Sequence, residues 1–438
     1  MVREMQILVV NSGSSSIKFS VFAVDMHDAT EPQMLVDGQL GGIGGDEATL
    51  SLHVEHQTTP TATKSNVGIH NLEQAISTVL DTVSAAGMPA FQAVGYRVVH
   101  PGPKLRQHQR ITPETLQDLQ AAAVFAPLHD PQTLQMIHAF MSRFPRVPHY
   151  ACFDTVFHQT MPEEATTYPL PPHYAEQGVR RYGFHGLSCE SIVRQLQRHG
   201  QLPKRMVIAH LGSGCSVTAL VDGLSVDNTM GFTPTGGVVM GTRSGDLDPG
   251  LVLYLLRDLK RPSSEGISAI ETLLNHASGV AALSGMPNDV KAVRKAANEG
   301  NPRATLALKV FTRSITRAIG GFCWLLGGLD AIVLTGGIGE HDPQTRAQIL
   351  ASLESLGVVV DASRNQSAAS GIQQISTQAS CTSILVVPAQ EDLMIALHVE
   401  RMAEREASET PRTPQNANKE VDEELGWTIN WTTSVTRP

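Results

Sequence analysis

The stretch LVVNSGSSSIKFSV, residues 8–21, decides the fold, because it joins two apolar strand patterns through a turn of serine and glycine. A shift of 200 residues superposes it on IAHLGSGCSVTALV, residues 208–221, and matches Ser16 with Ser216. Two such hairpins, one opening each half of the chain, predict a duplicated domain. Two unrelated hairpins with similar turns are the alternative, because the identity between the two segments is low.

Strand and helix patterns around these hairpins predict an α/β architecture with a mainly antiparallel start. The strand patterns lie at residues 6–10, 18–24, 34–40, 50–54, 94–99, 149–153, 206–211, 216–221, 224–228, 331–335 and 383–388. The helical patterns lie at residues 72–86, 113–125, 131–144, 249–260, 267–275, 289–298, 302–326, 343–353 and 389–402. From Ala403 onward the composition becomes polar, and we expect disorder there.

The composition is that of a folded enzyme of two or three domains, because 438 residues with 41% hydrophobic and 17% charged side chains can bury a large core. A net charge of −9 without a basic run argues against a nucleic-acid binder. The apolar run at residues 319–329 is too short to span a membrane, and the N-terminus lacks the pattern of a signal peptide. Five scattered cysteines without CxxC predict reduced thiols in a cytoplasmic protein.

Three glycine- and serine-rich turns each follow an apolar strand: NSGSSS at 11–16, GSGCS at 212–216 and TGGIG at 335–339. Glycine lets backbone N–H groups converge on an anion, and serine hydroxyls add donors. Each turn taken singly is more often a plain tight turn, but three together favour phosphate binding. Lys18 lies just past the first turn and supplies a cation. The chain has no GxxxxGK[ST] sequence, which excludes a P-loop nucleotide hydrolase.

Charged and imidazole side chains interrupt five otherwise apolar segments: YRVVH, APLHDP, FDTVFHQTMP, RRYGFHGLS and MGTRSGDLDPG. Among them, Arg97 and Arg243 supply donors for anionic oxygens, and a buried salt bridge is the equal alternative for each. Asp154, at the end of a strand pattern, offers oxygen ligands to Mg²⁺. Glu391 does the same, or else is only an acidic residue in the first turn of the last helix.

These segments, together with FAPLHDP, HLGSGCS, GFTP and LTGGIGEH, resemble the acetate kinase family in order and spacing over nearly all of residues 6–400. The resemblance implies a two-lobed actin-like fold, also called ribonuclease H-like, with duplicated α/β domains and ATP in the cleft between them. The lobes it implies are residues 1–153 with a C-terminal helix at 392–402, and residues 154–391. Residues 403–438 lie outside it. A homodimer is also implied, with neither nucleic acid nor membrane as partner.

The resemblance further implies the catalytic groups of this chain. Arg97 and Arg243 would hold the carboxylate and the moving phosphoryl group. His185 would donate to that group in the transition state, with His129 nearby. Asp154 would act with them as a ligand of the metal ion.

Metal, nucleotide and acyl-group residues also follow from the resemblance. Asn11, Asp154 and Glu391 would hold Mg²⁺, or Mn²⁺ in its place, with Asn11 near the reacting phosphate. The residues assigned to ATP are Lys18, Ser14, Ser16, His210, Gly212, Ser213, Gly214, Gly336, Gly337, Ile338 and Gly339. The residues assigned to the apolar pocket for the acyl methyl are Val99, Leu128, Phe184 and Pro234, beside Arg97.

The expected reaction is reversible transfer of the ATP γ-phosphoryl group to acetate, giving acetyl phosphate and ADP. A propionate kinase is the nearest alternative, because one methylene changes discrimination by only ~1–3 kcal/mol. A non-kinase protein that hydrolyses ATP and a pyrophosphate-dependent enzyme of the same fold are more distant alternatives. The chain departs from the family pattern at Ser213, where an Asn is usual, and at Gly236, where an acidic residue is common.

Overall fold

In a computed structural model of the chain, the structure describes residues 4–12, 16–25, 31–42, 48–54, 62–65, 69, 71–85, 90–125, 130–258, 263–367 and 371–409. Three of the predicted site residues, Ser14, Leu128 and His129, lie outside these ranges. Residues 410–438 also lie outside them, so most of the segment predicted to be disordered is not described.

The first sheet begins with an antiparallel meander, as the sequence predicts. Its strands are β1 Glu4–Ser12, β2 Ser16–Asp25, β3 Gln33–Gly41, β4 Thr49–Val54, β5 Ala62–Ser65, β6 Ala93–Val98, β7 Gln109–Arg110 and β8 His149–Phe153. Strands β1 to β5 pair with one another in sequence order, each antiparallel to the next. The order across the sheet is β5-β4-β3-β2-β1-β6-β8-β7.

The second sheet repeats this arrangement. Its strands are β9 Arg205–Leu211, β10 Cys215–Val221, β11 Leu224–Asn228, β12 Ala331–Thr335, β13 Gln373–Gln374 and β14 Ser383–Val386, in the order β11-β10-β9-β12-β14-β13. Strand β12 is parallel to both β9 and β14, so the hairpin strands pass into a parallel core. Because β3-β2-β1-β6-β8 corresponds to β11-β10-β9-β12-β14, the predicted duplication is confirmed at the level of strand order.

The residue-by-residue superposition at a constant shift of 200 is wrong beyond the first strand of each hairpin. Asn11 pairs with Lys18, but Leu211, its counterpart under that shift, pairs with Cys215 instead of Thr218. The strands of the second hairpin therefore pair in a register shifted by three residues, although β10 begins only one residue earlier than the shift predicts. Within its turn, the N–H of Gly212 donates to the carbonyl of Gly214 at 3.0 Å.

Helices cover the second sheet and separate the later strands of both sheets. They are α1 Leu72–Ala85, α2 Pro113–Ala122, α3 Asp130–Arg143, α4 Glu163–Thr166, α5 Pro172–Glu176, α6 Gly186–Arg198, α7 Pro249–Asp258, α8 Ser263–His276, α9 Gly279–Ser284, α10 Val290–Asn298, α11 Pro302–Leu325, α12 Gly336–His341, α13 Pro343–Leu350, α14 Ala362–Gln366 and α15 Glu391–Glu409. Within the described ranges, none of these helices is long and apolar enough to cross a membrane.

Two expectations about helix ends are wrong. The TGGIG segment is not an open turn, because its glycines form the first turn of α12 directly after β12. The last helix does not end at Met402, since α15 continues to Glu409. The sequence of residues 403–409 is AEREASE, in which alanine, arginine and glutamate are strong helix formers, and polarity alone does not prevent a solvated helix.

The described residues fall into two compact units. The first contains residues from Met1–Gly95, Ala139–Tyr150 and Ala396–Pro438, and the second contains Tyr96–His138 and Ala151–Ile395. Residues 96–138, which the predicted boundary at 153 assigns to the N-terminal lobe, thus cluster with the later part of the chain.

Alternation along β9 shows how the second unit is layered. Val207 and Ala209 join a buried cluster with residues of α11 such as Phe311. Met206 and Ile208 join a separate cluster with residues of α6. A strand with both faces buried between helices is typical of an α/β sheet, and it leaves the strand ends free to carry polar groups.

Candidate active site

The candidate site contains an ion pair at the ends of two neighbouring strands. Arg97 lies in β6, and Asp154 follows β8 directly, with its N–H donating to the carbonyl of Val98 at 3.2 Å. The Arg97 Nε donates to Asp154 Oδ1 at 3.0 Å, and its Nη2 donates to Oδ2. The Asp154 side chain is fully buried and that of Arg97 is 17% exposed. The salt bridge considered for Arg97 therefore exists, and its partner is the predicted metal ligand.

The charges of this pair depend on each other and on Glu391, the first residue of α15. Burial raises the pKa of the Asp154 carboxyl, the Arg97 guanidinium opposes that rise, and the Glu391 carboxylate adds to it. Burial alone would lower the pKa of Arg97, but the carboxylates of Asp154 and Glu391 hold it above its ordinary value. The electrostatics thus place Glu391 close enough to act on both partners.

His185 is held in a strained backbone conformation immediately before α6. Its φ and ψ are 60° and 32°, a left-handed geometry that is unfavourable for a residue with a side chain. The next residue, Gly186, donates its N–H to the carbonyl of Asp154 at 2.7 Å. A Cβ on Gly186 would lie 2.2 Å from that carbonyl oxygen, so only glycine allows this contact. The sequence FHG therefore brings His185 beside the ion pair.

The His185 imidazole is buried within a second group of polar side chains. Its Nδ1 lies 3.0 Å from the hydroxyl of Ser216, and its ring stacks on His210 with centroids 4.1 Å apart. His210 in turn contacts the Ser188 hydroxyl through Nδ1 at 2.8 Å. Burial holds the pKa of His185 well below its ordinary value, with further lowering by His210 and the guanidinium of Arg97. His185 is therefore neutral at pH 7.

Arg243 approaches the same place from a loop between β11 and α7. Both Arg243 Nη1 and His185 Nε2 lie within 3.4 Å of the point where a Cβ on Gly214 would sit. Arg243 Nη1 also donates to the carbonyl of Pro234 at 3.0 Å. Burial lowers the pKa of Arg243, and the charge of Arg97 lowers it further. The structure thus brings together Arg97, Asp154, His185 and Arg243.

The loop that carries Arg243 is fixed by contacts within itself and with Arg181. The side chain of Asp246 accepts from the N–H of Gly237 at 2.7 Å. Arg181 Nη1 lies 3.2 Å from each of three successive carbonyls, those of residues 228–230. A loop tied by its own backbone can hold a guanidinium with little loss of entropy on ligand binding.

The described residues of the predicted acyl pocket are buried. Val99 and Phe184 belong to the large apolar cluster of the second unit, and Pro234 is buried beside Arg243. The carbonyl of Phe184 accepts from His158 Nε2 at 2.9 Å, which fixes the backbone just before His185. These apolar side chains and the arginines belong to the same unit.

The third glycine segment packs on the end of β9. A Cβ on Gly336, whose φ is 75°, would lie 2.8 Å from the carbonyl oxygen of Leu211. Glu340 Oε1 accepts from the N–H groups of Gly336 and Ala389, at 2.9 and 3.1 Å. A Cβ on Gly337 would meet nothing within 4 Å, so this residue faces open space. Of the other predicted contacts with the nucleotide base, Gly339 is buried and Ile338 is half-buried.

Three predicted residues belong to the first unit and are described there. Asn11 and Lys18 are directly opposed in the β1–β2 pair, next to the first glycine-rich turn. Asn11 is buried, Lys18 is exposed and Ser16 is half-buried.

Several polar side chains that complete the site were not predicted from the sequence. Ser188 and Ser216 contact the two histidines, and Asn288 contacts Ser213. Ser216 was expected in the GSGCS turn that favours phosphate binding, and its contact with His185 was not predicted. The sequence HGLS places Ser188 three residues after His185, a spacing that puts both on the first turn of a helix, and this signal was available. No local pattern points to Asn288.

Asp154 and Glu391 suit a magnesium ion by the chemistry of their oxygens. Mg²⁺ prefers carboxylate and water oxygens and keeps several of its waters. Each Asp154 oxygen accepts a hydrogen bond from Arg97, and an ionised carboxylate has about four acceptor positions. Positions therefore remain for an ion or for its bound water.

Comparison with known proteins gives consistent matches along the chain. The model of the acetokinase family matches residues 6–397. A propionate kinase from Citrobacter rodentium is 39% identical over 419 residues, covering 93% of this chain and 98% of the relative. An acetate kinase from Halothermothrix orenii is 38% identical over 410 residues, covering 91% and 100%. The crystal structure of a propionate kinase from Francisella tularensis superposes with a TM-score of 0.80 at 33% identity, covering 90% and 98%. The expected fold class is confirmed by this similarity.

Proposed function

The chain belongs to the acetokinase family and is a phosphotransferase with a carboxyl group as acceptor, and on this premise we propose that it is an acetate kinase. The reaction would be reversible transfer of the γ-phosphoryl group of ATP to acetate, giving acetyl phosphate and ADP. The observation that carries the proposal is that Arg243 Nη1 and His185 Nε2 both lie against Gly214, beside the Arg97–Asp154 pair.

The acceptor needs no general base in this reaction. A small carboxylic acid with a pKa near that of glutamic acid, about 4.3, is ionised at neutral pH, so its oxygen has no proton to lose. The difficulty is repulsion between a carboxylate and a triphosphate. Arg97 and Arg243 reduce this repulsion and stabilise the charge on the transferring phosphoryl oxygens. In-line transfer between the two anions follows from such positioning.

His185 acts in this proposal as a neutral donor. The Ser216 hydroxyl is fully buried, and donation of its proton to His185 Nδ1 is supported by their 3.0 Å separation. With Nδ1 accepting, the imidazole proton lies on Nε2, the nitrogen that faces Gly214 and Arg243. An N–H aimed at the phosphoryl oxygens would form its strongest hydrogen bond as charge builds up there.

Asp154 and Glu391 would hold Mg²⁺, directly or through water, with Asn11 assigned to the same group by the family resemblance. The ion, when bound, supplies positive charge to the phosphates of ATP. Arg97 holds Asp154 in place for this task through two hydrogen bonds to its carboxylate.

Acetate is preferred over propionate in this proposal because Val99 narrows the wall of the acyl pocket. Propionate kinase remains the second candidate, since relatives of both names match at 38–39% identity. One additional methylene changes the free energy of discrimination by only ~1–3 kcal/mol, so both acids should react.

Trapping of the acyl phosphate with hydroxylamine tests the proposal. Hydroxamate formation from ATP and Mg²⁺ is measured with formate, acetate, propionate and butyrate, and kcat/KM is compared. Acetate should give the highest value. A higher value for propionate would make the chain a propionate kinase. ATP hydrolysis without hydroxamate from any acid would indicate the non-kinase alternative. Hydroxamate formation with pyrophosphate in place of ATP would indicate a pyrophosphate-dependent enzyme.

A second copy of the chain is the proposed partner. Helix α7 has no buried residue and exposes Leu251, Leu253 and Tyr254. An apolar helix face of this kind is typical of an interface. Sedimentation should give the mass of a homodimer, and Leu253→Glu should give a monomer, whereas the same change at exposed Leu170 should not. A monomeric wild type would contradict this part of the proposal.

Cytoplasmic location completes the proposal. The five cysteines are all free thiols in the structure, as expected of a protein in a reducing compartment.

A further inference from the structure

Asn288 is an exposed side chain that contacts the second glycine-rich turn. It lies two residues before α10, next to Asp289, whose carboxylate accepts from the N–H groups at the start of that helix. The Asn288 Nδ2 lies 3.1 Å from the hydroxyl of Ser213, 75 positions earlier in the chain. The capped start of α10 thus presents an amide to the turn formed by residues 212–214.

The space that Asn288 occupies depends on Gly241, in the loop that carries Arg243. A Cβ on Gly241 would lie 2.2 Å from Asn288 Oδ1, so any other residue there would displace the amide. The N–H of Gly241 donates to the carbonyl of Ser213 at 3.2 Å. Ser213 is therefore held through its backbone by Gly241 and through its side chain by Asn288.

The direction of the side-chain hydrogen bond determines what Ser213 can do. The amide nitrogen of Asn288 is a donor only, so the Ser213 oxygen must be the acceptor. A hydroxyl that accepts one hydrogen bond still has its own proton to donate. Because Ser213 is exposed and adjoins Gly214, against which Arg243 and His185 lie, that proton is available to an anion at the turn.

We propose that Asn288 is a positioning residue for nucleotide phosphate: its amide orients the Ser213 hydroxyl so that the hydroxyl donates to a phosphate oxygen of ATP or ADP. This inference rests on the proposed function, because it assumes that the turn at residues 212–214 receives nucleotide. It assigns the contact to phosphate and not to the nucleoside.

Binding measurements distinguish a contact with phosphate from a contact with the nucleoside. ADP and adenosine each compete against a fluorescent ADP analogue for the wild type and for Asn288→Ala, Ser213→Ala and the double variant. Asn288→Ala should weaken ADP about tenfold, the order expected for a hydrogen bond to a charged group, and leave adenosine unchanged. Asn288→Asp should weaken ADP more, because a carboxylate accepts the Ser213 proton and repels phosphate.

The double variant tests whether Asn288 acts through Ser213. If it does, the double variant should bind ADP no more weakly than Ser213→Ala alone. Additive losses would overturn the proposal, since Asn288 would then contact phosphate independently. Equal losses for ADP and adenosine would also overturn it, as would no loss at all. Asn298→Ala is the matched control, because this exposed asparagine ends α10 and donates instead to Gln344.

Kinetics distinguish failure of this inference from failure of the proposed function. Asn288→Ala should raise the KM for ATP about tenfold while the KM for acetate stays constant. A wild type that binds ADP but forms no hydroxamate would refute the acetate kinase proposal and leave the binding results valid. A wild type that forms hydroxamate, with an Asn288→Ala variant of unchanged KM for ATP, would refute this inference alone.

Discussion

The hairpins β1–β2 and β9–β10 begin with the same sequence pattern but differ in the groups that lie beside their described residues. In the second hairpin, the turn adjoins Arg243 and His185, and Ser213 is fixed by Asn288. In the first hairpin, the described residues nearest the turn are Ser12, Ser16 and Ile17, and Asn11 lies opposite Lys18 in the next pair. A shared sequence pattern therefore produced two hairpins of the same topology with different side chains at corresponding described positions.

The difference in register explains part of this. The strands of the second hairpin pair in a register shifted by three residues from that of a strict repeat. A shift of three residues moves every side chain on the return strand to a new partner, and to the opposite face. Ser216 consequently pairs with His210 across the hairpin, and its hydroxyl contacts His185.

Loss of the Arg243 side chain, which lies beside the second turn, should have the largest effect on activity. Arg243→Ala should reduce kcat for hydroxamate formation about 10²- to 10³-fold, because it removes a preorganised donor to the phosphoryl group. Circular dichroism should show an unchanged fold. Arg97→Ala is a poorer test, since it leaves Asp154 buried without its guanidinium and destabilises the protein.

Arg243→Lys serves as the control for this prediction. It keeps the charge but not the planar fork, and should retain part of the activity. If Arg243→Ala kept near-normal turnover, the second turn would have no special catalytic role and the contrast between the hairpins would disappear.

The next largest effect is a loss of folding stability at acid pH, through a histidine that contacts the sheet containing the second hairpin. His158 is buried, contacts the Ser225 hydroxyl of β11 at 2.9 Å, and burial lowers its pKa to about 4. The unfolded chain takes up this proton near pH 6.5 and the folded protein only near pH 4, so stability is lost as the pH falls between these values. The loss from this group should be about 3 kcal/mol.

Urea unfolding at pH 7 and pH 4.5 measures this loss. His158→Gln should be less stable at pH 7 but should lose less stability on acidification than the wild type. Equal acid sensitivity of wild type and His158→Gln would contradict the assignment.

A smaller effect is expected from filling the space inside the second turn. A Cβ on Gly214 would lie 3.3 Å from Arg243 Nη1, so Gly214→Ala should displace the guanidinium slightly and reduce kcat about tenfold. Gly320→Ala in α11 is the control, because a Cβ there meets nothing within 4 Å. Unchanged kcat for Gly214→Ala would mean that the turn tolerates the methyl group and does not fix Arg243.

The smallest effect should come from the first hairpin. Lys18 is exposed and is assigned to ATP only by the family resemblance, and removing an exposed cation that pairs with an anion costs about 0.2–1 kcal/mol. Lys18→Ala should raise the KM for ATP about threefold at low ionic strength and less at high ionic strength, because salt screens exposed charges. Lys204→Ala, an exposed lysine at the far end of the second hairpin, should have no effect. A loss as large as that of Arg243→Ala would show that the two hairpins contribute equally.

The sequence by itself determined the duplicated hairpins, the family, most helices and all described strands except the short strands β5, β7 and β13. These features depend on hydrophobic periodicity over a few residues and on motifs that follow one another in a characteristic order along the chain. Helix α12 was predicted as a turn and the end of α15 was placed too early, because helix formation depends on packing and propensity as well as on polarity. Asp154 and Gly186 were visible as motif residues, but the contact between their backbones was not.

Only the tertiary structure decided which polar groups act on one another. The Arg97–Asp154 pair joins residues 57 positions apart, and the Asn288–Ser213 contact joins residues 75 positions apart. Such partners are set by how strands and loops pack, since a hydrogen bond forms only within about 3 Å and at suitable angles. The sequence pattern indicates which side chains are chemically able to act. Their distances, burial and neighbouring charges then determine the protonation state and direction of each group.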